Sequence, residues 1–354
     1  MKILIIRVSA IGDVIHTLPA LFLLKTAHPN MQISWVVQKK AAPLLVGQPF
    51  LDHVWVLADR FLMPQHLAQT FAILKEIRAQ QWDAIIDFQG LLKTSLLLMT
   101  LCGKKYGFDW HSARESASSM FTHHQVAPTY RNIIQKNLEL ASSVLNDLLS
   151  LSTCPTLDTL KKSCYLAVPE AKQAMVNAWI ATHNLSNIIA LCPNTTWQSK
   201  RWPLQHWLTL ITLLPSNYAI VLIGKDFGDD AAQIARLTQE RGLALFTLPK
   251  WDLLTTTYFI QQIKLLIAPD TSFLHIADFL GIPAIGLFGP TSKEMHGPFL
   301  TAQNHAHALQ APCSHHYQKS HGVPWQDCMG MLTPEMVLRQ VGDILVAPSH
   351  HPTP

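Results

Sequence analysis

The 354-residue sequence lacks the long apolar runs and the leader pattern of exported and membrane-spanning proteins. Its longest apolar runs, such as 96–102 and 282–288, are far below the ~20 residues that a bilayer crossing needs. Lys2 and Arg7 flank a strand-like segment, and Asp13 follows too soon for the apolar centre of a signal peptide. These absences predict a cytoplasmic protein without a membrane span.

Cysteine and charge are also sparse. The six cysteines have scattered, unpaired spacing, so we interpret them as reduced thiols. Charged residues make up 14% of the chain and the net charge is +4, which is too little for a nucleic-acid-binding surface. The composition therefore predicts no nucleic-acid partner and at most a mild preference for acidic ligands.

Several nucleotide- and metal-binding signatures are missing. The sequence contains no G-x-x-x-x-G-K-[ST] and no G-x-G-x-x-G motif, which excludes a P-loop and a dinucleotide fingerprint. It has no Asp-x-Asp pair to hold a metal on a diphosphate. A zinc site from the cysteines and histidines of the C-terminal region is an alternative, but their spacing matches no standard pattern. Those residues are Cys313, His315, His316, His321 and Cys328. We predict no metal and no cofactor.

What the sequence does contain is a regular alternation of strand-like and helix-like segments. The predicted strands are 2–8, 33–37, 54–57, 84–88, 187–192, 218–223, 265–268 and 284–288. The predicted helices are 13–27, 67–80, 91–101, 204–214, 229–241, 272–281 and 334–346. Strands that alternate with helices predict doubly wound parallel sheets.

The alternation is interrupted once, by a stretch at 149–169 that is rich in Ser, Thr, Cys and Pro and is typical of a linker. We therefore predict an α/β fold with two Rossmann-like domains, 1–165 and 166–332, followed by a C-terminal helix and tail at 333–354. Ligands of such sheets bind at the carboxyl ends of the strands, so we expect the two domains to face a cleft.

The first candidate site is the turn between the first predicted strand and the first predicted helix. Gly12 allows a tight turn, and the N-terminus of a helix favours the carboxylate of Asp13. Asp13 is either a helix-capping residue or a general base that points into the cleft. Ser9 is a turn residue by itself, and His16, one helical turn on, is more typical of packing than of catalysis.

The turns of the second half carry groups that suit an anion. Thr195 and Thr196 precede the cation Lys200 just before a predicted helix, which is a pattern for phosphate binding or for a solvated loop. The turn at 269–275 has Asp, Thr, Ser and His at a strand-to-helix junction and suits either a phosphate site or a capping box. A similar turn follows at 288–292. Together these turns favour one diphosphate site.

These motifs, in this order, resemble the ADP-heptose:lipopolysaccharide heptosyltransferases over nearly the whole chain. The matching segments are 1–24 (MKILIIRVSAIGDVIHTLPALFLL), 87–94 (DFQGLLKT), 107–115 (GFDWHSARE), 195–203 (TTWQSKRWP), 269–275 (PDTSFLH) and 289–292 (GPTS). Segments 87–94 and 107–115 are most similar to the heptosyltransferase I branch of that family.

The resemblance implies the GT-B architecture, with an N-terminal domain for the acceptor and a C-terminal domain for the nucleotide sugar. It implies an inverting, metal-independent transfer of L-glycero-D-manno-heptose from ADP-heptose to the Kdo of Kdo-lipid A. It also implies a cytoplasmic enzyme in peripheral contact with the cytoplasmic face of the inner membrane, without an obligate protein partner.

The resemblance implies roles for individual residues as well. Asp13 corresponds to the catalytic base proposed for the family. The donor-binding positions fall on Thr195, Thr196, Lys200, Asp270, Thr271, Ser272 and His275. The acceptor-binding positions fall on Ser9, Gly12, Lys93 and Arg114. The acidic residue that binds the ribose is left open among Asp226, Asp229 and Asp230.

Other functions are compatible with these motifs. A sibling transferase, similar to heptosyltransferase II, would add a later core sugar. A nucleotide-sugar epimerase would need further carboxylates and a histidine around the sugar. A non-catalytic nucleotide-binding module would have no use for a carboxylate at position 13. Release of ADP only in the presence of acceptor would separate these alternatives.

Overall fold

The structure is a computed structural model of the chain, which folds into two compact units. It describes residues 1–150, 155–224, 229–242, 244–301, 305–312 and 326–346. The first unit is Met1–Ala167 and the second is Val168–Pro354.

In the described part of the first unit, the strands form one six-stranded parallel sheet. The strands are β1 (Lys2–Ile6), β2 (Gln32–Gln38), β3 (His53–Leu57), β4 (Ala84–Asp87), β5 (Lys104–Phe108) and β6 (His124–Val126). Their order is β3-β2-β1-β4-β5-β6. β1 is apolar and buried from Ile3 to Ile6, because helices cover both faces of a parallel sheet. The strand order reverses between β1 and β4, which is the point where doubly wound sheets bind ligands.

Helices surround this sheet and set the direction of the loops. They are α1 (Ile11–Ala27), α2 (Pro64–Arg78), α3 (Leu92–Met99), α4 (Ile133–Leu149) and α5 (Leu157–Ser163). α1 packs against α4, where the buried Asn137 Nδ2 donates a hydrogen bond of 2.9 Å to the carbonyl oxygen of His16. This contact fixes the helix whose first turn carries Asp13.

The described part of the second unit repeats the same topology. Its strands are β7 (Ile188–Leu191), β8 (Ala219–Leu222), β9 (Leu245–Thr247), β10 (Leu265–Pro269), β11 (Ala284–Phe288) and β12 (Ala306–Gln310). The order β12-β11-β10-β7-β8-β9 is again parallel throughout, with its reversal between β7 and β10. The predicted fold class, an α/β protein with two Rossmann-like sheets, is confirmed.

The helices of the second unit enclose a tryptophan-rich core. They are α6 (Glu170–Thr182), α7 (Leu204–Leu213), α8 (Asp229–Glu240), α9 (Leu253–Gln261), α10 (Ser272–Phe279), α11 (Lys293–His296), α12 (Gln326–Gly330) and α13 (Pro334–Val346). The rings of Trp202 and Trp207 meet edge to face at 4.8 Å, and Trp202 Nε1 donates to the carbonyl oxygen of Leu332. α13 packs against α7 within this unit.

Two sequence predictions concern single features of the fold. Among the described residues, the helices are too short or too polar to cross a bilayer.

The prediction that all cysteines are reduced thiols is wrong for Cys328, which is disulfide-bonded. The spacing of the cysteines did not indicate this bond.

Candidate active site

The carboxylate of Asp13 lies at the strand-order reversal of the first sheet, between two guanidinium groups. Its Oδ1 is 3.2 Å from Arg7 Nη2 and its Oδ2 is 3.5 Å from Arg114 Nη1. The backbone N–H of Ala10, the N-cap residue of α1, also donates to Oδ2, so Asp13 does take part in helix capping. Its side chain remains 21% exposed, which leaves the carboxylate accessible to a ligand.

Further predicted residues meet at the same place. Lys93, in the first turn of α3, donates from Nζ to Ser9 Oγ at 3.4 Å. Burial, followed by the neighbouring charge of Arg114, lowers the pKa of Lys93 below its usual value. Gly12 belongs to the same turn, directly before Asp13. The structure therefore brings Ser9, Asp13, Lys93 and Arg114 together as one carboxylate among cations.

Sequence reasoning missed Arg7 and Gln89 at this site. Arg7 is 4% exposed and donates from Nη1 to the carbonyl oxygen of Phe88. Gln89 Oε1 accepts from the backbone N–H groups of Val8 and Ser9, at 2.9 and 3.2 Å. The sequence does place a cation, Arg7, at the end of an otherwise apolar strand. Because a buried charge is costly unless it has a partner, this position indicates a nearby carboxylate.

In the second unit, Asp270 is the centre of a buried ionic cluster at the end of β10. Its Oδ2 is 2.6 Å from Lys200 Nζ, and its Oδ1 is 3.1 Å from His275 Nε2. Burial opposes the charge of this carboxylate. The hydrogen bond and charge of His275, with the charges of Lys200 and His296, nevertheless hold the pKa of Asp270 well below its usual value. Asp270 is therefore an ionised anchor that orients Lys200.

The other predicted donor residues lie at the ends of β7 and β10. Thr271 is the N-cap residue of α10 and Ser272 its first residue, so the free amide groups of that helix start beside Asp270. Thr195 and Thr196 lie in the loop after β7, where Thr195 Oγ1 donates to the carbonyl oxygen of Trp197. β7 and β10 are neighbours, so these loops leave the sheet at its reversal point.

The turn after β11 borders the same edge of the sheet and is held rigidly. Gln310 Nε2 donates to the carbonyl oxygens of Gly289 and Thr291, at 2.9 and 3.2 Å. A Cβ atom on Gly289 would lie 2.4 Å from Met329 Sδ, so a larger residue here would have to displace that buried side chain. The rigid turn supports the idea of one preorganised anion site.

The ribose-binding and zinc alternatives are not tested by this structure. Asp226 lies outside the described residues. Asp229 and Asp230 are the first two residues of α8, and the structure describes their backbone only. Of the candidate zinc residues, Cys328 alone is within the described part of the chain. Among the described residues, no group of three or more His, Cys, Asp or Glu side chains is placed to hold a metal ion.

The sequence of the chain matches a known family model. Glycosyltransferase family 9 (heptosyltransferase) matches residues 70–323, which is more than half of the chain.

Known proteins are similar over most of the chain. Lipopolysaccharide heptosyltransferase 1 of Escherichia coli (strain K12) is 28% identical over 316 residues, which cover 84% of this chain and 91% of that protein. Lipopolysaccharide heptosyltransferase 1 of Pseudomonas aeruginosa is 26% identical and covers 98% and 99% of the two chains. The structure of the E. coli heptosyltransferase WaaC with ADP superposes with a TM-score of 0.76 at 25% identity, over 97% of this chain and all of that one.

Proposed function

Because the chain belongs to glycosyltransferase family 9 (heptosyltransferase), we propose that it transfers L-glycero-D-manno-heptose from ADP-heptose to the Kdo of Kdo-lipid A. The observation that carries the proposal is the position of Asp13 among Lys93 and Arg114, at the ligand-binding edge of the first sheet. A carboxylate base beside cations suits an acceptor that is itself an acidic sugar with a reactive hydroxyl.

The second unit supplies the donor side of this proposal. Lys200 is oriented by Asp270, and an ammonium group has three donors, so two remain for the diphosphate. The amide groups at the start of α10 add partial positive charge at the same edge. The similar WaaC structure is described with ADP, which supports a nucleoside diphosphate as the product that leaves. These groups stabilise the departing charge without a metal.

The first unit supplies the chemistry on the acceptor. Asp13 removes the proton of a Kdo hydroxyl while that oxygen attacks the anomeric carbon of the heptose. The new glycosidic bond forms as the bond from the anomeric carbon to the phosphate oxygen breaks and ADP leaves. Attack from the opposite side inverts the configuration at the anomeric carbon. Lys93 and Arg114 bind the carboxylate of the acceptor and hold it in place.

The direct test is the mass of the product. The protein is incubated with ADP-heptose and Kdo-lipid A, and the lipid is analysed by mass spectrometry. We expect one added heptose and an equal amount of ADP. Heptose addition only to an acceptor that already carries a heptose would identify the sibling, heptosyltransferase II-like activity. Conversion of the nucleotide sugar without transfer would identify an epimerase.

We also propose that α3 contacts the cytoplasmic face of the inner membrane. Leu92, Leu96 and Met99 share one side of the helix and are 46%, 50% and 59% exposed. Exposed apolar side chains on one side of a helix are typical of binding at a membrane interface. Met120 is 66% exposed in the 3₁₀ turn that packs against α3, and it extends the apolar surface.

This contact is testable with vesicles of anionic phospholipid. The double variant Leu96→Ser with Met99→Ser should bind the vesicles less than the wild type in sedimentation. Phe71→Ser is the matched control, because Phe71 is 64% exposed on α2 and lies outside the proposed surface. Equal binding by the double variant and the wild type would disprove this role of α3.

A further inference from the structure

Asp87 is a buried carboxylate that closes the turn after β4. It is 2% exposed. Its Oδ1 accepts from the backbone N–H groups of Gln89 and Gly90, at 2.8 and 3.3 Å. Its Oδ2 lies 3.4 Å from Thr94 Oγ1 in the first turn of α3, and the Thr94 hydroxyl also has the carbonyl oxygen of Leu91 as an acceptor at 2.7 Å. Asp87 therefore holds the turn through its hydrogen bonds to two amide groups and contacts the start of α3.

The turn that Asp87 closes contacts every element of the proposed acceptor site. The Gln89 side chain holds the amide groups of Val8 and Ser9, which lead to Asp13. Gly90 has a φ of +60°, and its carbonyl oxygen accepts from the N–H of Glu115 at 2.9 Å, next to Arg114. Lys93 lies on α3, directly before the residue that Asp87 binds. A displacement of this turn would therefore move the base and both of the acceptor-side cations.

Asp87 and Asp13 also share one buried cation. The charge of Arg7 acts on Asp87, and the same guanidinium is paired with Asp13 through Nη2. If Asp87 were neutral, Asp13 would be the main compensation for the charge of Arg7, and a carboxylate held in that way is a weaker base.

We propose that Asp87 is a positioning residue of the transfer reaction, acting through the turn 87–90 and through Arg7 on the base Asp13. The proposal rests on the proposed function, because it takes Asp13 as the base. An asparagine could also accept the hydrogen bonds of the turn, without the cost of burying a charge. A carboxylate at this position is therefore better explained by its charge than by the turn alone.

The ionisation of Asp87 falls in a measurable range. Burial raises the pKa of Asp87 to about 6, against the lowering effects of the turn amides, of Arg7 and of Thr94. The groups that face it are Arg7 from the end of β1, Thr94 from α3 and the amides of its own turn. The carboxyl group is therefore mostly ionised at pH 7.5 and mostly protonated at pH 5.

The test compares kcat and KM of the wild type and Asp87→Asn between pH 5 and pH 8. We expect kcat of the variant at pH 7.5 to fall between about tenfold and about a hundredfold, because asparagine keeps the turn but leaves Asp13 to compensate Arg7, which makes Asp13 a weaker base. The KM for ADP-heptose should stay unchanged, because the proposed donor groups lie in the second unit. The rise of kcat near pH 6 in the wild type should disappear in the variant.

Two further variants keep the test decisive. Asp278→Asn is the matched control, since Asp278 is a buried carboxylate of the second unit with a raised pKa and accepts from backbone amides at 299–301. It should leave the pH profile of kcat unchanged. Gln89→Met keeps a side chain of similar length but removes the oxygen that binds the amide groups of Val8 and Ser9. It should also lower kcat, and it replaces Asp87→Asn as the test if that variant does not fold.

The outcomes separate this proposal from the proposed function. A wild type that transfers no heptose to Kdo-lipid A contradicts the proposed function. An active wild type with an unchanged kcat profile in Asp87→Asn, or with unchanged kcat in Gln89→Met, overturns the positioning role alone.

A substrate-free measurement tests the buried charge in either case. A raised pKa in the folded state stabilises the fold below the ordinary pKa of 3.8, and that contribution is lost as the pH rises through about 6. The melting temperature of Asp87→Asn, relative to that of the wild type, should therefore increase as the pH rises from 4 to 7. A difference that does not change with pH would contradict the raised pKa of Asp87.

Discussion

Lys200 is not a free surface cation, because Asp270 holds its ammonium group at 2.6 Å in a largely buried pair. Removal of the ammonium group takes away a charge-assisted hydrogen bond to the donor phosphates. Such a bond contributes roughly 1.5–3 kcal/mol, so Lys200→Ala should weaken ADP binding by about tenfold to about a hundredfold. Isothermal titration calorimetry with ADP measures this effect.

The matched control for Lys200 is Lys172→Ala. Lys172 also pairs with a carboxylate of the second unit, Asp252, but on a more exposed surface. Its removal should leave the affinity for ADP unchanged. Equal ADP affinities of the wild type and Lys200→Ala would remove Lys200 from the donor site.

At the scale of single residues, the sequence was informative where a polar group follows a predicted strand. Asp13, Lys200 and Asp270 were found in this way, because the carboxyl ends of parallel strands meet at one edge. Their partners were not predictable. The pairing of Lys200 with Asp270 joins positions 70 residues apart, and it depends on β7 and β10 being neighbours. The burial of Arg7 likewise depends on the loops that cover β1.

At the scale of elements, the turn between β4 and α3 requires glycine for two separate reasons. Gly90 has a φ of +60°, and an added Cβ atom would lie 3.2 Å from the backbone nitrogen of Arg114. Gly47 has a φ of +77° in the same unit, but an added Cβ atom there meets nothing within 4 Å. A comparison of substitutions at Gly90 and Gly47 therefore separates the cost of the backbone conformation from the cost of the contact with the backbone of Arg114.

Gly90→Ala and Gly47→Ala should each destabilise the protein by about 1–2 kcal/mol, the cost of a left-handed conformation for a residue with a side chain. Gly90→Ala should also lower kcat, because it displaces the segment that carries Arg114. Urea unfolding and steady-state kinetics measure the two effects. Equal kcat values in the two variants would show that the close approach at Gly90 has no effect on the site.

Most of the strands that sequence patterns predicted are central ones, with the edge strand β3 as an exception. β1, β4, β10 and β11 are short, buried and mainly apolar, so their signal is strong. The missed strands lie toward the edges of the sheets, where strands are short and more polar. β6, an edge strand, has three residues, and the edge strand β12 contains two polar side chains and is only partly buried.

At the scale of the whole molecule, the two units repeat one topology and divide the proposed chemistry between them. The first unit holds the base and the cations for the acceptor, and the second holds the groups for the diphosphate. This division predicts that variants of the proposed base in the first unit change kcat, while variants of the proposed diphosphate groups in the second unit change donor affinity.

The same account predicts transfer without a metal. Lys200 and the amide groups of α10 provide the positive charge that a divalent ion would otherwise supply. Turnover should therefore be unchanged in the presence of excess EDTA. Loss of activity in EDTA that returns on addition of Mg²⁺ or Mn²⁺ would show that these groups are insufficient.

The most direct test of the central claim is the release of ADP by the wild type and Asp13→Asn, with and without Kdo-lipid A. In the wild type, ADP should be released only when the acceptor is present. Asp13→Asn should lower this rate by about 10²–10⁴-fold, the usual contribution of a general base, with the affinity for ADP unchanged. Near-native turnover by Asp13→Asn, or release of ADP by the wild type that is independent of the acceptor, would contradict the account.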